Sequence, residues 1–328
     1  MTNLEDIGFG PDLEQALHRL GDPELVPGRV TRVDADVAQL LALAGERRAR
    51  IPKRVIRADP GRPVTGDWVA VRPGRDDVVE CVLDRRTELG RKAAGRREAR
   101  QVLAANVDVL FVTMGLDRDF NLRRLERYLT LANDGGVRPV VLLTKAGLCE
   151  DPERMRAEAA QVAASIDVHY IDVLSGIAAA APLRYLGRGI TAALVGSSGA
   201  GKSTLVNHLL GAERMRTRGV REHDDRGKHT TTVRELLQLP CGGAIIDTPG
   251  LRELGLWADP TSLREAFPDI EALEGGCRFR DCAHRNEPGC AVRAAVVAGT
   301  LDGARLASYI ALQDEIEGRA RSSRRARR

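Results

Sequence analysis

Gly196-Ser-Ser-Gly-Ala-Gly-Lys-Ser-Thr204 is the stretch of this 328-residue chain that decides the predicted fold. It matches G-x-x-x-x-G-K-[ST], the phosphate-binding loop (P-loop) of many nucleotide-binding proteins. The apolar run Ile190–Val195 before it predicts a buried strand, and apolar residues at helical spacing follow it. A chance turn rich in glycine and serine would lack this strand–loop–helix context, so the sequence predicts a phosphate site.

Each part of the loop has a predicted role. The glycines let backbone N–H groups converge on phosphate oxygens at the positive end of the helix dipole. Lys202 is predicted to reach the β- and γ-phosphates and to take part in catalysis, and Ser203 is predicted to bind Mg²⁺. The predicted nucleotide-binding residues of the loop are Gly196, Ser197, Ser198, Gly199, Ala200, Gly201, Lys202, Ser203 and Thr204.

A second motif, Asp247-Thr-Pro-Gly250, follows a short apolar strand and has the pattern D-x-x-G. Asp247 can hold Mg²⁺ through water and joins the predicted catalytic set, and the N–H of Gly250 can sense a γ-phosphate. Together with the P-loop, this motif indicates a nucleoside triphosphate as the ligand.

Two polar segments lie between these motifs. Residues 212–230 are rich in arginine, glycine and aspartate, and we predict a switch that becomes ordered on a γ-phosphate. Its end overlaps Gly227-Lys-His-Thr-Thr-Thr232, where threonine hydroxyls are available. Thr231, or its neighbour Thr230, is predicted to complete the Mg²⁺ and γ-phosphate shell.

The run Val140–Gly147 is a predicted strand that ends in Thr-Lys-Ala-Gly. This ending is close to N/T-K-x-D, which reads guanine in GTPases. In ordinary GTPases that element follows the P-loop, whereas here it precedes it, so the predicted domain is circularly permuted. We expect the base pocket to include Thr144, Lys145, Ala146 and Gly147.

Composition limits the class of protein. The formal net charge of +4 is compatible with nucleic-acid binding but does not demonstrate it. The chain has no apolar run of 18 residues, and its acidic start lacks the apolar core of a secretory signal, so we predict a cytoplasmic protein without membrane association. The six cysteines do not suggest a disulfide framework.

The first part of the chain predicts a leader and a small barrel. Residues 1–27 have weak periodicity and are interpreted as a frayed leader, with one helix near Leu13–Leu20. Residues 28–91 contain short β-branched segments separated by turn signals, which favours an OB-type β-barrel. The predicted strands are Arg29–Val33, Arg50-Ile51, Arg54–Ile56, Asp67–Val71 and Asp77–Val82.

The barrel also carries a cluster of basic side chains, namely Arg47, Arg48, Arg50, Lys53, Arg54 and Arg57. Trp68 is the only aromatic residue between Gly28 and Arg91, so stacking on bases is disfavoured and recognition of the backbone of folded RNA is favoured. A solvated charged face on a spacer barrel is the alternative.

Residues 92–255 form the predicted α/β GTPase domain, after a polar linker at residues 85–101. Apolar runs alternate with helical patterns, which indicates a parallel sheet that binds its ligand at the carboxyl ends of the strands. The predicted strands are Val107–Met114, Arg138–Thr144, Val168–Leu174, Ile190–Val195 and Thr232–Leu239, and the predicted helices include Asn121–Asn133 and Pro152–Ser165.

Residues 256–318 form a predicted helical zinc-binding domain. Cys277, Cys282, His284 and Cys290 have the spacing Cys-x4-Cys-x-His-x5-Cys, which is typical of a closed tetrahedral zinc site. Four protein ligands leave no open position, so a structural zinc ion is favoured over a catalytic one, and cysteines packed without a metal are the alternative. The arginine-rich tail at residues 319–328 is either an RNA-contacting arm or a solvated terminus.

The combination and order of these motifs resemble the RsgA (YjeQ) family of circularly permuted GTPases. The motifs that carry the resemblance are Gly66–Val69, Gln101–Asp108, Gly196–Thr204, Arg226–Thr232, Asp247–Glu253 and Cys277–Cys290. The resemblance implies a monomeric GTP hydrolase that uses Mg²⁺ and one structural zinc ion. It also implies late assembly of the small ribosomal subunit, with binding to its rRNA and release upon GTP hydrolysis.

Two features depart from common GTPase patterns. Gly147 stands where the guanine-reading aspartate is expected, and Glu150 or Asp151 are the candidate substitutes. The only candidate for the fifth GTPase motif is the short Val173–Gly176, with Ser175 as its predicted nucleotide contact.

Leu251 occupies the position at which Ras-like enzymes carry the water-positioning glutamine, and the family also has an apolar residue there. His229 matches the switch histidine of the family and is our candidate for the group that orients water. A loop histidine that contacts rRNA is the alternative role. We expect slow intrinsic turnover that the ribosome accelerates.

Two other functions stay open at this point. The first is a nucleotide-gated RNA-binding protein with weak or no hydrolysis, which the missing aspartate favours and the intact P-loop disfavours. The second is a P-loop ATPase with relaxed base specificity.

Overall fold

The computed structural model describes residues 3–92, 100–213, 234–247 and 259–326. Its first large unit is a closed five-stranded barrel, in the strand order β1-β2-β3-β5-β4. The strands are β1 (Val26–Asp34), β2 (Val37–Ala42), β3 (Gly45–Arg50), β4 (Trp68–Arg72) and β5 (Asp77–Val82). This architecture confirms the predicted OB-type barrel.

Two strand predictions in the barrel are wrong. Arg54–Ile56 lies in a short helix, α2 (Lys53–Arg57), which begins after Pro52 and buries Val55 against the barrel. The strand β2 was missed because Val-Ala-Gln-Leu-Leu-Ala consists largely of helix-forming residues. Pairing with β1 on one side and β3 on the other overrides this local preference.

The interpretation of residues 1–27 as a frayed leader is also wrong for the described part. Leu4–Ile7 forms one turn of 3₁₀ helix, and α1 spans Pro11–His18. Leu4 and Ile7 are buried in the main hydrophobic core. The apolar periodicity of residues 1–27 is weak because only a few apolar residues of this segment pack against the core.

Residues 88–92 and 100–105 form a pair of antiparallel strands, where we predicted a linker through residue 101. The strands are β6 (Glu88–Lys92) and β7 (Arg100–Ala105). Leu89 and Leu103 are buried, whereas most of their neighbours in β6 and at the start of β7 are polar. The buried residues of β7, Leu103, Ala104 and Ala105, are consecutive, so the sequence lacks the alternation that predicts a strand.

The central sheet has the strand order β10-β9-β8-β11-β13-β12, and only β12 is antiparallel to its neighbour. Its strands are β8 (Val109–Gly115), β9 (Arg138–Thr144), β10 (Val168–Tyr170), β11 (Thr191–Val195), β12 (Glu235–Gln238) and β13 (Ala244–Asp247). The helices of this domain are α3 (Leu122–Asp134), α4 (Pro152–Ala163) and α5 (Lys202–Leu210). The predicted parallel sheet is therefore confirmed.

Alternate residues of β8 face opposite layers of the core. Leu110 and Val112 belong to the cluster that contains Leu125 of α3, whereas Phe111 belongs to the cluster that contains Leu205 of α5. All seven residues of β8 are buried. A central strand covered on both faces is what the continuous apolar run in the sequence predicts.

The carboxyl-terminal helices pack beside α3. They are α6 (Pro260–Ala266), α7 (Pro268–Glu274), α8 (Ala291–Val297) and α9 (Gly303–Ala326). The last helix extends beyond Glu317, so described residues of the predicted tail are helical. The predicted domain boundaries stay predictions. Within the described ranges, no helix is long and apolar enough to span a bilayer.

A buried ion pair joins α3 to α9. Glu126 is fully buried, and Arg305 Nη1 lies 3.1 Å from Glu126 Oε1. Ser308 also donates to this carboxylate. Arg305 further donates to Asp269 of α7 at 2.5 and 2.7 Å. These contacts fix the carboxyl-terminal helices to the GTPase domain.

A second buried cation joins the barrel to the sheet. Arg29 of β1 donates to the carbonyl oxygens of Ile7 and Asn106, at 3.2 and 3.1 Å, and to Thr191 Oγ1 at 3.1 Å. Its guanidinium lies 5.0 Å from the centre of the Trp68 ring. Burial lowers the pKa of Arg29 to about 10, which still leaves it charged at neutral pH.

Candidate nucleotide-binding and metal sites

Five strands of the sheet end at one edge, because β8, β9, β10, β11 and β13 are all parallel. The segments after these strands carry the predicted site residues. In parallel sheets this edge is where ligands bind. The polar groups that gather there are Asp117, Asp119, Lys145, Asp172, the P-loop and Asp247.

The P-loop begins with a close backbone approach at Gly196. Its φ is 152°, and a Cβ built there would lie 2.2 Å from the carbonyl oxygen of Thr113. Only glycine fits this position, so the loop can turn tightly from β11 towards α5. Gly201, with φ of 82°, then leads directly into α5.

Lys202 is the first residue of α5, and its side chain folds back over the loop. It is 5% exposed, and its Nζ donates to the carbonyl oxygens of Gly196 at 2.7 Å and Ser197 at 2.5 Å. The ammonium group is therefore held at the centre of the loop. A cation in this position, at the start of a helix, can bind and stabilise phosphate oxygens.

Two hydroxyl groups anchor the loop to the neighbouring strands. Thr144 Oγ1 donates to the carbonyl oxygen of Ala200 at 2.8 Å, and Ser197 Oγ donates to Asp119 Oδ1 at 2.5 Å. Asp119 also accepts from the N–H of Gly115 at 3.0 Å. The sequence reasoning missed Asp119, although its place four residues after β8 puts it at the ligand-binding edge.

Oxygen groups suited to Mg²⁺ lie beside the loop. Ser203 and Thr204 are in the first turn of α5 and are partly buried. Asp247 ends β13, one residue after Ile246, which pairs with Ala193 of β11. Hydroxyl and carboxylate oxygens are the ligands that Mg²⁺ takes in such sites.

Four predicted residues lie outside the described residues. They are His229, Thr230, Thr231 and Gly250. Their roles as the water-orienting group, the Mg²⁺ ligand and the γ-phosphate sensor stay predictions.

The predicted base pocket lies on the loops after β9 and β10. Lys145 has a φ of 62°, and its Nζ lies 2.7 Å from Asp117 Oδ2. Burial acts to raise the pKa of Asp117, but the hydrogen bond from Lys145 and further hydrogen bonds outweigh it and hold that pKa below its usual range. The lysine is thereby fixed at the mouth of the pocket.

Asp172 is a residue of this pocket that the sequence reasoning missed. Its Oδ2 accepts from the N–H of Gly147 at 3.0 Å, and its Oδ1 accepts from the N–H groups of Leu174 and Ser175 at 2.9 and 3.3 Å. Burial acts to raise the pKa of Asp172, but these backbone hydrogen bonds outweigh it and keep the pKa below its usual range. The carboxylate is therefore ionised at neutral pH.

The reason for missing Asp172 is the length of β10. We predicted a strand through Leu174, which would place Asp172 within the sheet, whereas β10 ends at Tyr170 and the chain then turns. The two proposed substitutes lie elsewhere in their loop: Asp151 accepts from the N–H of Arg154 and caps α4, and Glu150 is exposed.

The predicted zinc ligands come together as expected. The ligand atoms of Cys277, Cys282, His284 and Cys290 all lie within 4.8 Å of one another. His284 Nδ1 lies 3.7 Å from Cys277 Sγ and 3.5 Å from Cys290 Sγ, and the two sulfur atoms are 4.0 Å apart. Tetrahedral bonds of about 2.3 Å to sulfur and about 2.0–2.1 Å to nitrogen require separations of about 3.5–3.8 Å. The cluster is compatible with zinc.

The outer face of His284 supports the same conclusion. Its Nε2 lies 3.3 Å from Glu274 Oε1, and Tyr309 donates to that oxygen at 2.9 Å. A ligating histidine typically donates its second ring N–H to a carboxylate, which orients the ring towards the metal. The ring thus has its Nδ1 towards the thiols and its Nε2 towards the carboxylate.

Comparison with known proteins agrees with this arrangement. The family model described as RsgA GTPase matches residues 82–257, more than half of the chain. A curated relative from Opitutus terrae, named small ribosomal subunit biogenesis GTPase RsgA, is 43% identical over 327 residues. The match covers 95% of this chain and 89% of the relative.

Two solved structures share the fold. YjeQ from Thermotoga maritima has a TM-score of 0.67 and 24% identity, over 90% of this chain and 99% of that chain. YloQ, described as a circularly permuted GTPase, has a TM-score of 0.63 and 23% identity, over 90% of this chain and 96% of that chain. Together with the family match and the relative, these findings show that the chain belongs to the RsgA GTPase family.

Proposed function

We propose that this protein is a GTP hydrolase that acts in the assembly of the small ribosomal subunit. The observation that carries the proposal is the P-loop, with the Lys202 ammonium fixed at its centre by two loop carbonyl groups. The relative from Opitutus terrae bears the corresponding name and matches nearly the full chain.

The described residues support specific roles in hydrolysis. The backbone N–H groups of the P-loop bind the phosphates, and Lys202 neutralises charge that develops between the β- and γ-phosphates. Ser203 would bind the Mg²⁺ that accompanies the nucleotide directly, and Asp247 would bind it through water. Mg²⁺, when bound, supplies charge neutralisation on the β- and γ-phosphate oxygens. Thr231, Gly250 and His229 keep their predicted roles in this proposal.

The Cys₃His cluster is proposed to bind one structural zinc ion. A closed set of four ligands without an open position is suited to holding a fold together rather than to catalysis. Metal binding to such a set contributes on the order of 10 kcal/mol to folding. We assign this ion to the stability of the segment between α7 and α8.

We further propose that the protein works as a cytoplasmic monomer and binds rRNA through its barrel. Arg48, Arg50, Lys53 and Arg57 are exposed, whereas Arg54 is paired with Glu80 at 2.6 Å. Trp68 is fully buried, so it is not available for stacking on bases. Contacts with phosphates are thus the favoured mode of binding.

The test is single-turnover release of phosphate from GTP by the zinc-loaded full chain, with and without small ribosomal subunits. We expect slow release that the subunits accelerate, and a loss of at least about 100-fold in Lys202→Ala, because that ammonium stabilises the transferring phosphoryl group. Lys53→Ala changes an exposed lysine of the barrel, outside the phosphate loop, and in the assay without subunits it is the control for the loss of a positive charge.

Each alternative has its own outcome in this assay. Nucleotide-dependent subunit binding without any phosphate release would support the RNA-binding protein and contradict the hydrolase. Equal hydrolysis of ATP and GTP would support the relaxed ATPase.

A further inference from the structure

We infer that Asp172 reads the guanine base in place of the aspartate missing at position 147. This inference rests on the proposed function and adds the residue that determines base specificity. It joins two features of this chain that appear unrelated in the sequence, the glycine after β9 and the carboxylate after β10.

The first argument is the space that the carboxylate occupies. A Cβ built on Gly147 would lie 2.7 Å from Asp172 Oδ2, 3.7 Å from its Cγ and 3.3 Å from Ser175 Oγ. The carboxylate therefore fills the volume that a side chain at position 147 would enter. The present position of the Asp172 carboxylate requires glycine at 147, because a larger residue there would displace it.

The second argument is that the carboxylate is held firmly. The N–H of Ala146 donates to the carbonyl oxygen of Ile171 at 3.2 Å, and the next N–H, of Gly147, donates to Asp172 Oδ2. These successive hydrogen bonds join the loops after β9 and β10. A group fixed in this way loses little freedom when it binds a ligand, which favours discrimination.

The third argument is the distribution of donors around the carboxylate. Three backbone N–H groups and the Ser175 side chain donate to Asp172, and among the backbone groups only that of Gly147 donates to Oδ2. Oδ2 is therefore the oxygen with fewer backbone donors, and it lies on the side of position 147. The Lys145 side chain, at the end of the adjacent strand, is the neighbouring element of the same pocket.

The chemistry of the bases then determines the specificity. Guanine presents two donors on one edge, its N1–H and its 2-amino group, and a carboxylate accepts from both. Hypoxanthine lacks the amino group, xanthine has a carbonyl group in its place, and adenine presents an acceptor at N1. A buried or fixed acceptor that faces another acceptor costs affinity, so Asp172 selects guanine.

The test uses the full zinc-loaded chain and displacement of fluorescent mant-GDP by GDP, IDP, XDP and ADP. The wild type is expected to bind GDP at least about 100-fold more tightly than ADP. In Asp172→Asn, GDP binding is expected to weaken at least about tenfold, and binding of XDP relative to GDP is expected to rise, because the new amide donates to the xanthine carbonyl. In Asp172→Ala, GDP and IDP should bind equally.

Glu150→Gln and Asp151→Asn are matched controls, since each neutralises another carboxylate near the pocket. Both should keep the wild-type order of the four nucleotides. Loss of guanine preference in either control would overturn the inference. Equal weakening of all four nucleotides in the Asp172 variants would also overturn it, because that result assigns Asp172 only a role in loop structure.

A residue exchange provides a second, independent test. Gly147→Asp alone is expected to weaken GDP binding, because its carboxylate would be forced against that of Asp172. The double variant Gly147→Asp/Asp172→Ser should recover the preference for GDP over XDP and ADP. A single Gly147→Asp variant that improves GDP selectivity would contradict the inference.

Failure of the inference is distinguishable from failure of the proposed function. If the wild type binds GDP selectively and the Asp172 variants keep this selectivity, the proposed GTPase function stands and only the role of Asp172 in reading guanine is overturned. A wild type that binds no guanine nucleotide overturns both.

Discussion

Two glycines on either side of helix α5 have very different surroundings. Gly196, in the loop before the helix, approaches the carbonyl oxygen of Thr113, whereas Gly211 caps the other end with a φ of 63° and no neighbour within 4 Å of a built Cβ. Both positions strain an L-residue, but only the first also lacks room for a side chain. This difference separates backbone strain from a steric effect on the phosphate loop.

Gly196→Ala is therefore expected to weaken GDP binding at least about tenfold and to lower the free energy of unfolding by about 1–3 kcal/mol. Gly211→Ala should cost about 1 kcal/mol of stability through its backbone conformation and leave GDP affinity unchanged. Urea denaturation and mant-GDP titration measure the two quantities. Equal GDP affinity in both variants would argue against the close approach as the reason for glycine at position 196.

The phosphate loop could be predicted residue by residue, because its chemistry lies within nine consecutive positions. Lys202 is placed by the motif itself, and the structure brings it to the centre of the loop. Asp172 could not be predicted in the same way. Its relation to Gly147 spans 25 positions and depends on where β10 ends, which local patterns do not define.

The thiols of the segment between α7 and α8 form part of the Cys₃His cluster, and one of them also accepts a backbone hydrogen bond. Cys290 belongs to the Cys₃His cluster, and its Sγ also accepts from the N–H of Arg293 at 3.5 Å at the start of α8. His284, in the same cluster, has a φ of 59°, which is unusual for a residue with a side chain. Few apolar side chains of this segment are buried, so we attribute its order to the cluster.

Cys290→Ser is thus expected to reduce the zinc content of the purified protein from one equivalent towards none and to destabilise α8. Measurement of bound metal, together with thermal denaturation followed by circular dichroism, tests this expectation. Cys241→Ser is the matched control, because Cys241 is an exposed thiol far along the chain from the cluster. Unchanged metal content in Cys290→Ser would show that this thiol is not a ligand.

Secondary structure was predictable where several signals agreed. The strand β9 has the predicted bounds, Arg138–Thr144, since an apolar run ends there in a recognisable motif. The helix α2 and the paired strands β6 and β7 could not be predicted. The β-branched residues of α2 favour a strand, and the polar residues of β6 and β7 favour a loop.

The ion pair between Glu126 and Arg305 connects the GTPase domain to the carboxyl-terminal helices through the interior. The same helices, α3 and α9, carry a second pair, Arg127 and Glu315, whose atoms are 2.9 Å apart and about one-third exposed. Removal of one partner from a buried pair leaves a charge without compensation, whereas an exposed pair contributes little.

Glu126→Ala is accordingly expected to lower the free energy of unfolding by about 1–3 kcal/mol, because Arg305 loses its buried partner and keeps only the partly exposed Asp269. The double variant Glu126→Ala/Arg305→Met should recover part of this loss, because no buried charge then remains. Arg127→Ala should cost about 1 kcal/mol or less. Urea denaturation provides the values, and a cost of Glu126→Ala no larger than that of Arg127→Ala would contradict the buried pair as the principal connection.

The order of the motifs predicted the circular permutation, because it can be read directly from the chain. The way in which the barrel joins the sheet could not be predicted. That junction depends on Arg29, a residue that looks like one of many arginines in the sequence. Its partners Ile7, Asn106 and Thr191 lie far apart in the chain and meet only in the folded protein.

The junction at Arg29 also has a consequence in time, during synthesis on the ribosome. All five barrel strands are complete by residue 82, whereas the Thr191 hydroxyl that receives Arg29 is made 162 residues after the arginine. At about 5–20 residues per second, Arg29 waits roughly 8–30 s for this partner. Until then the guanidinium lacks one of its hydrogen-bond acceptors, so the junction between the barrel and the sheet is completed only after β11 has been made.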